Sequence, residues 1–215
     1  MRRTNIPDAA IKRLPVYLRV VSDLAAADVP IVSSAELAEK TGLSPEQIRK
    51  DLAYFGAFGT RGVGYDTAML SRRIARILGL HRGVKAALVG FGHLGYALAR
   101  YSLAQHKDIV ISAIFDVDPE KIGQEILGVR VQHVSEMVET CRQQGVKIGI
   151  ITVPASAAQQ TAELLKAGGV EAILNFAPAK LNVDGVFVQN IDLTIELQSL
   201  AYYTSASEDD ASEEQ

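Results

Sequence analysis

The chain has 215 residues, 48% hydrophobic and 22% charged, with a formal net charge of −3, which suits a globular protein of one large or two small domains. Its apolar runs are too short to span a bilayer and no signal peptide opens it, so we expect a cytoplasmic protein without a membrane partner. The single cysteine, Cys141, excludes an intramolecular disulfide and a cysteine-based zinc site, and we expect no metal.

The charges are divided unevenly along the chain. Residues 1–82 carry 13 Lys and Arg against 8 Asp and Glu, whereas residues 83–215 carry 9 against 17. A basic first part on an acidic remainder favours contact between that first part and a polyanion. A basic surface is weak evidence by itself, because it is often only a solvated surface.

The residues after the basic N-terminus predict two helices in succession. Pro7 and Asp8 can begin a short helix. Pro15 then falls in the first turn of the next helix, because proline is tolerated there but not in a helix interior.

Two further helix starts follow with the spacing of a helix-turn-helix. Ser33 and Ser44 each precede a Glu or Gln by three residues, which is the pattern of a capping box. A short turn containing Gly42 separates the two helices. The second helix, over residues 45–54, is therefore the expected recognition helix.

The expected recognition helix has one apolar side and one polar side. Ile48, Leu52 and Phe55 form its buried side, and the residues left to face outward are Gln47, Arg49, Lys50 and Asp51. Arg49 and Lys50 can reach phosphates or guanine edges in a major groove. We take Gln47, Arg49 and Lys50 as candidate DNA-binding residues. The alternative is a small helical domain with solvated charges.

The stretch YFGAFGTRGVGY, residues 54–65, alternates aromatic residues with glycines and predicts a tight β-hairpin. Arg61 lies near its tip, and a hairpin after a helix-turn-helix makes a winged helix. An extended arginine between small residues suits a narrow, electronegative minor groove, so Arg61 joins the candidates. The alternative is a structural hairpin with a solvated arginine. A linking helix over residues 69–80 follows, and we place the boundary of this winged-helix domain at residue 82.

The stretch KAALVGFGHLGYALARY, residues 85–101, predicts a strand, a tight turn and a helix. Its turn has a G-x-G-x-x-G pattern whose residues are Gly90, Phe91, Gly92, His93, Leu94 and Gly95. The three glycines allow a sharp turn, a close approach to a pyrophosphate and tight helix packing, and the positive helix end faces the phosphates. The alternative is a glycine turn without a ligand.

An acidic residue lies where the dinucleotide fingerprint requires one. The strand-like residues 109–115 end at Asp116, about 20 residues beyond the last glycine. A carboxylate there accepts hydrogen bonds from the adenosine ribose hydroxyls and repels the extra phosphate of NADP. The expected cofactor is therefore NAD(H).

Strands and helices then alternate to the end of the chain. A short helix is expected after Asp118, and strands are predicted at residues 129–133, 147–153, 170–176 and 186–191. This order predicts an α/β fold, in which residues 83–191 form a Rossmann-type doubly wound parallel sheet.

Two residues at strand ends and the C-terminal segment complete these predictions. Pro154 follows a buried strand, and Asn175 at the next strand end is well placed for the nicotinamide half of the cofactor, although a turn-forming asparagine is equally compatible. The apolar helix at residues 192–204 needs a surface to cover, in its own subunit or a neighbour's. Residues 205–215 are rich in Ser, Asp and Glu and are expected to be disordered.

Five of these stretches together resemble the Rex family of bacterial redox-sensing transcriptional repressors. They are IRKDLAYFGAFGTRGVGY, VGFGHLG, FDVDPEKIG, ITVP and ILNFAP, and the resemblance spans residues 5–204. It implies a winged helix that binds palindromic, A/T-rich operator DNA and a Rossmann domain that distinguishes NADH from NAD+. It further implies a homodimer with swapped C-terminal helices, which NADH closes to release DNA and in which NAD+ permits DNA binding.

The resemblance also implies roles for individual residues. Arg49 and Lys50 belong to the recognition helix and Arg61 to the wing. The residues that hold the dinucleotide, the last two near the nicotinamide, are Gly90, Gly92, Leu94, Gly95, Asp116, Pro154 and Asn175. The implied redox switch is a trio of Arg19, Tyr101 and Asp192, in which Asp192 exchanges between the other two.

Two other functions compete with a redox-sensing repressor. An NAD-dependent dehydrogenase needs a proton donor or base beside the nicotinamide. None of the four histidines, His81, His93, His106 and His133, has an obvious orienting carboxylate, so we expect no enzyme. The second is a winged-helix regulator that responds to a CoA ester or to NADP(H), and Asp116 argues against NADP(H).

Overall fold

The computed structural model of the protein describes residues 6–56, 58–60, 62–105 and 108–212, with side chains described outside 102–105 and 205–212. The chain divides after Gly83 into two units. The first unit contains α1 (Asp8–Ala26), β1 (Ile31–Val32), α2 (Ser34–Thr41), α3 (Pro45–Ala53), β2 (Tyr65–Asp66) and α4 (Thr67–Ile77).

The second unit alternates strands with helices. Its elements are β3 (Val84–Val89), α5 (His93–Gln105), β4 (Ile109–Asp116), β5 (Glu125–Ile126), β6 (Val129–His133), α6 (Met137–Gln144), β7 (Ile148–Ile151), α7 (Ala155–Ala167), β8 (Ala172–Asn175), β9 (Phe187–Asn190) and α8 (Leu193–Ser212).

The helices of the first unit pack around one apolar core. Its largest fully buried side chains are Leu14, Tyr17, Leu37, Ile48, Leu52, Leu70 and Ile74. Ser33 caps α2 in a complete capping box with Glu36, as expected. At α3 only half of the expected box forms: the Ser44 hydroxyl accepts from the Gln47 backbone N–H at 3.1 Å, but the Gln47 side chain turns elsewhere.

The predicted break at Pro15 is wrong. α1 is one helix of 19 residues with Pro15 inside it. A proline there removes one backbone hydrogen bond and costs about 3 kcal/mol. Pro15 faces solvent, whereas Leu14, Tyr17 and Val21 are wholly buried on the opposite side. Their burial stabilises the continuous helix, because each large apolar side chain contributes about 1.5–3 kcal/mol.

The expected tight hairpin of the wing is present as a short antiparallel bridge. Thr60 and Gly64 exchange two backbone hydrogen bonds of 3.0 Å. Tyr65 then pairs with Val32 of β1, so that β1 and β2 form an antiparallel pair. Arg61 lies outside the described residues.

The second unit is built on a sheet with strand order β5-β6-β4-β3-β7-β8-β9. Every pairing is parallel except β5 with β6. The strand order runs outward in both directions from β3 and β7, which is the doubly wound arrangement. The prediction of an α/β fold with a Rossmann-type sheet is confirmed.

Helices cover both sides of this sheet. On one side α6 and α7 bury a core that includes Met137, Cys141, Ala162 and Leu165. On the other side Ala99 of α5 packs against β3 and β4. Cys141 is wholly buried, and burial raises the pKa of its thiol to about 11.

Three local features differ from the sequence-based expectations. Residues 119–123 form turns instead of a helix, with the Lys121 and Ile122 N–H groups both donating to the Asp118 carbonyl. β5 was not expected, because it has two residues; it joins β6 through Leu127 and Gly128, both at positive φ. α8 continues past residue 204 to Ser212, since residues 205–212 contain no Gly or Pro that would end a helix.

Candidate functional site

A cleft of about 600 Å³ opens at the carboxyl ends of β3, β4 and β7. This is the point where the strand order reverses, at which doubly wound sheets bind ligands. The structure brings four of the predicted residues together in its lining, namely Gly90, Gly92, Asp116 and Pro154. The apolar part of the lining comes from Val89, Val134, Met137, Val153, Ala157 and Leu164.

The glycine turn has little space around its backbone. Gly90 adopts a φ of +96°, and a Cβ added there would lie 2.8 Å from the Thr152 carbonyl oxygen. A Cβ added at Gly95 would overlap the Gly90 carbonyl oxygen. At Gly92 an added Cβ would meet no atom within 4 Å, so this position is open. Gly90 and Gly95 are therefore required by packing, and Gly92 leaves room in the cleft.

Thr152 was not identified from the sequence, although it holds the turn. Its hydroxyl lies 2.7 Å from the Gly90 carbonyl oxygen and 3.0 Å from that of Val89. It therefore ties the end of β7 to the end of β3. The sequence feature that could have identified Thr152 is its position as a polar residue directly after the apolar run of β7 and two residues before Pro154.

Asp116 is buried and binds the glycine turn directly. Its carboxylate accepts from the backbone N–H of Phe91 at 2.6 Å, of Val117 at 2.8 Å and of Asp118 at 2.9 Å. Lys121 Nζ lies 3.5 Å from its Oδ2. Burial raises the pKa of Asp116, but these N–H groups and the Lys121 charge outweigh burial and hold the pKa below its ordinary value. The carboxylate is therefore ionised at neutral pH.

The other predicted cofactor residues lie at the turn or beyond the cleft. Phe91 is buried, whereas His93 and Leu94 are exposed at the start of α5. Asn175 is fully buried at the end of β8. Its amide nitrogen lies 3.1 Å from the Ala177 carbonyl oxygen, and its own oxygen accepts from the Ala177 N–H at 3.0 Å. The structure thus gives Asn175 the turn-forming contacts, and its contact with a nicotinamide stays a prediction.

The polar residues of α3 were predicted to face outward, but not all of them do. Arg49 and Lys50 are exposed, and Arg49 Nη1 donates to the Ser34 hydroxyl at 2.9 Å. Asp51 is wholly buried, so its predicted outward position is wrong. Arg13 donates to both of its oxygens, at 2.6 and 2.8 Å, and the Tyr17 hydroxyl donates at 2.6 Å.

Gln47 completes the hydrogen bonds of Asp51. Its Nε2 donates to Asp51 Oδ1 at 2.7 Å, and its side chain is half-buried. Burial raises the pKa of Asp51, but the bonds from Arg13, Tyr17 and Gln47 hold it below its ordinary value. Asp51 was predicted to be exposed because its side chain is charged. Its position three residues after Ile48, beside Leu52, was the available sign of burial.

The residues of the implied switch lie in both units. Arg19 is exposed on α1 of the first unit, and Tyr101 is exposed on α5 of the second. Asp192 begins α8, where its Oδ1 accepts from the Thr194 backbone N–H at 2.9 Å. Asp192 therefore serves as the N-terminal cap of α8 within this chain.

The described residues contain neither a candidate metal site nor a candidate membrane span. There, no group of three His, Cys, Asp or Glu side chains is placed to hold a metal ion. Over the same parts of the chain, no helix is long and apolar enough to cross a membrane. Of the histidines, His106 lies outside the described residues, and His133 Nδ1 is 2.7 Å from the Ser135 hydroxyl.

The glycine turn gives a first testable prediction. Gly95→Ala should lower the free energy of unfolding by about 1–3 kcal/mol, because the new methyl overlaps the Gly90 carbonyl. Gly92→Ala is the matched control and should change stability little, because its Cβ enters open space. Urea unfolding followed by circular dichroism measures both. Equal stabilities of the two variants would contradict the packing argument.

Asp116 gives a prediction for the pH dependence of stability. At pH 7, Asp116→Asn should unfold more easily by about 1–3 kcal/mol, because hydrogen bonds to a charged acceptor are lost. Since folding lowers the pKa of Asp116, its contribution is present above the unfolded value and is lost as pH falls through the folded one. The difference between wild type and variant should be constant above about pH 5 and shrink below about pH 4. A difference that stays the same at pH 3 would exclude this role.

Comparison with known families divides the chain in a similar way. Residues 5–53 match a family described as "Putative DNA-binding protein N-terminus". Residues 81–179 match a family described as "CoA binding domain".

Individual relatives and structures match nearly the whole chain. The chain is 49% identical over 203 residues to the redox-sensing transcriptional repressor Rex of Natranaerobius thermophilus, covering 94% of this chain and 93% of that protein. It is 46% identical over 203 residues to Rex of Streptomyces coelicolor, covering 94% and 79%. RSP in complex with β-NAD+ and operator DNA matches with a TM-score of 0.87 and 36% identity over 95% of each chain. RSP in complex with β-NADH matches with a TM-score of 0.81 and 35% identity over 95% of this chain and 97% of that one. The chain therefore belongs to the Rex family of redox-sensing transcriptional repressors.

Proposed function

We propose that this protein is a transcriptional repressor, not an enzyme, that senses the ratio of NADH to NAD+. Its first unit binds operator DNA, and its second unit binds NAD(H) in the cleft. NADH favours a closed dimer that releases DNA, whereas NAD+ permits DNA binding. One observation carries the proposal: the chain matches RSP along 95% of its length, and RSP has been crystallised with NAD+ and operator DNA and with NADH.

The cleft supports NAD(H) as the cofactor. The open position at Gly92 and the N-terminus of α5 suit a pyrophosphate, which binds where helix N–H groups and the helix dipole favour negative charge. The ionised Asp116 carboxylate is suited to accept hydrogen bonds from ribose hydroxyls. It would repel a phosphate on the same ribose, which argues against NADP(H).

The chemistry of the nicotinamide supports a preference for the reduced form. The oxidised ring carries a positive charge, and the reduced ring is neutral. Apolar side chains line much of the cleft, including Val153, Met137 and Leu164. Burying an unpaired charge among such side chains is costly, so we expect NADH to bind more tightly than NAD+. A ligand shifts a dimer between two states only by its differential affinity for them.

The exposed residues of α3 support operator binding by the first unit. Arg49 and Lys50 are free of the core and carry the charge that a phosphate backbone attracts. Ser34 directs the Arg49 guanidinium through a hydrogen bond. We propose the same interface for Gln47 and for Arg61 of the wing.

The apolar side chains of α8 support a homodimer. They are more than half exposed in this chain, namely Leu193, Ile195, Leu197, Leu200, Tyr202 and Tyr203. So many exposed apolar groups on one helix mark an interaction surface. We propose that α8 is exchanged between subunits and that the protein acts in the cytoplasm, where it meets both DNA and the NAD(H) pool.

One further ligand is favoured by a specific observation. The family matched by residues 81–179 is described as a CoA binding domain, so a CoA ester is the second candidate. Both ligands contain an adenosine linked to a pyrophosphate, which the same turn would hold. CoA also has a phosphate on the adenosine ribose, which the Asp116 carboxylate would repel as it would that of NADP(H). A direct titration distinguishes them.

The central test measures binding to a palindromic, A/T-rich duplex at fixed salt, because affinity for DNA depends steeply on salt. Adding NADH should weaken binding by about 5- to 150-fold, the usual range for coupling between two sites, whereas NAD+ should not. NADP(H) and CoA serve as competing ligands, and Gly92→Ala should bind DNA but respond less to NADH. Equal binding with NADH and NAD+ would overturn the proposed sensing.

The implied switch at Asp192 can be separated from its role as a helix cap. Asp192→Ala should weaken the effect of NADH on DNA binding, through loss of both the charge and the cap of α8. Asp192→Asn keeps a good capping side chain but removes the charge, and it should show the same weakened response. A wild-type response of Asp192→Asn in the duplex-binding assay would rule out Asp192 as the charged switch residue.

A further inference from the structure

The expected recognition helix, α3, has a buried carboxylate on the side that packs against α1. Asp51 is wholly buried, and Arg13 and Tyr17 of α1 donate to it at 2.6–2.8 Å. Both of its oxygens are held from the α1 side, so the carboxylate has a fixed orientation. One further donor remains in its shell, the Gln47 side-chain nitrogen at 2.7 Å.

This contact determines which way the Gln47 carboxamide faces. A carboxylate accepts hydrogen bonds and donates none, so the nitrogen of Gln47 must point to Asp51 and its oxygen must point away. The backbone of Gln47 is fixed as well, because its N–H donates to the Ser44 hydroxyl at 3.1 Å. What remains available outside this network is the Gln47 oxygen together with the second N–H of its amide.

An acceptor next to a donor is the pattern that an adenine edge matches in the major groove. Glutamine pairs there with adenine through N6 and N7. Gln47 is the third residue of α3, and recognition helices contact base edges with their N-terminal residues. The position of Gln47 on α3 and the donor and acceptor that its amide leaves unused therefore match an adenine edge.

We propose that Asp51 is a positioning residue, fixed by Arg13 and Tyr17, that orients the Gln47 carboxamide to read an adenine of the operator. The inference rests on the proposed operator binding. It assigns a sequence-reading role to Gln47, whereas Arg49 and Lys50 supply charge at the same surface. The alternative is a purely structural role, in which these hydrogen-bonded side chains only join α1 to α3.

The test uses the operator duplex crystallised with RSP, with each base pair replaced in turn, and the full-length protein at fixed salt. Wild type should lose about 5- to 150-fold in affinity when the contacted adenine–thymine base pair of one half-site is replaced, because one bidentate contact is then lost. Gln47→Ala should lose this discrimination at that pair only. The salt dependence of binding should stay as in wild type, because phosphate contacts are unchanged.

Asp51→Asn tests the positioning role. Its amide nitrogen can face Gln47, which would turn the Gln47 oxygen inward and present two donors outward. Preference at the same base pair should then shift from adenine towards guanine, whose edge has two acceptors. The double variant Gln47→Ala, Asp51→Asn should match Gln47→Ala alone, because both changes act through one contact. If Asp51→Asn does not fold, Arg13→Lys takes its place. It keeps the charge but loses the two-point hold on Asp51, so it should weaken the preference for adenine at that base pair without shifting it to guanine.

Tyr17→Phe is the matched control. It removes one donor to Asp51 Oδ2 and leaves the Gln47 bond to Oδ1, so it should lower thermal stability without changing base preference. Failure of wild type to bind the duplex would remove the proposed function and this inference with it. Binding by wild type, with unchanged base preference in Gln47→Ala or in the Asp51→Asn variant (or its Arg13→Lys substitute), would overturn the inference alone.

Discussion

The second unit depends on the close contact between the ends of β3 and β7 around the Gly90 carbonyl. Gly95 approaches this carbonyl so closely that a methyl group would overlap it, and the Thr152 hydroxyl lies 2.7 Å from the same oxygen. One backbone group thus sets the start of α5 against the sheet. Asp116 then holds the turn from the other side through the Phe91 N–H. The cleft exists because these contacts leave the Gly92 side open.

Each of the two units contains a buried carboxylate that holds a proposed ligand-binding element. Asp116 fixes the glycine turn through backbone N–H groups, and Asp51 holds the Gln47 side chain of α3. A buried charge is costly unless it is fully hydrogen-bonded, and both carboxylates accept three or more close hydrogen bonds. Each carboxylate therefore fixes the orientation of the groups that donate to it, at little cost in the free energy of unfolding. Ligand binding then needs little reordering of the groups that make contact, which favours affinity.

Local signals explain what could be predicted from the sequence. The glycine turn, the acidic residue at the end of β4 and the cap at Ser33 depend on neighbours within a few residues or on a fixed spacing. The burial of Asp51 and the continuity of α1 through Pro15 depend on packing between distant segments. Local patterns indicate that packing only weakly: for Asp51 the available sign was its position beside Ile48 and Leu52. Thr152 has the same origin: its partners in β3 lie more than 60 residues earlier in the chain. Non-local contacts thus account for the site residues that were not predicted correctly from the sequence.

The position of Cys141 separates this protein from regulators that sense oxidants through sulfur. Thiol sensors need an accessible cysteine with a substantial thiolate fraction, because the thiolate is the species that peroxide attacks. Cys141 is the single cysteine of the sequence, is wholly buried on the inner side of α6, and has a thiol pKa raised to about 11. Hydrogen peroxide or glutathione disulfide would therefore find no reactive thiol in the folded chain. The redox response proposed for this protein therefore depends on the oxidation state of the NAD(H) bound in the cleft and not on this thiol.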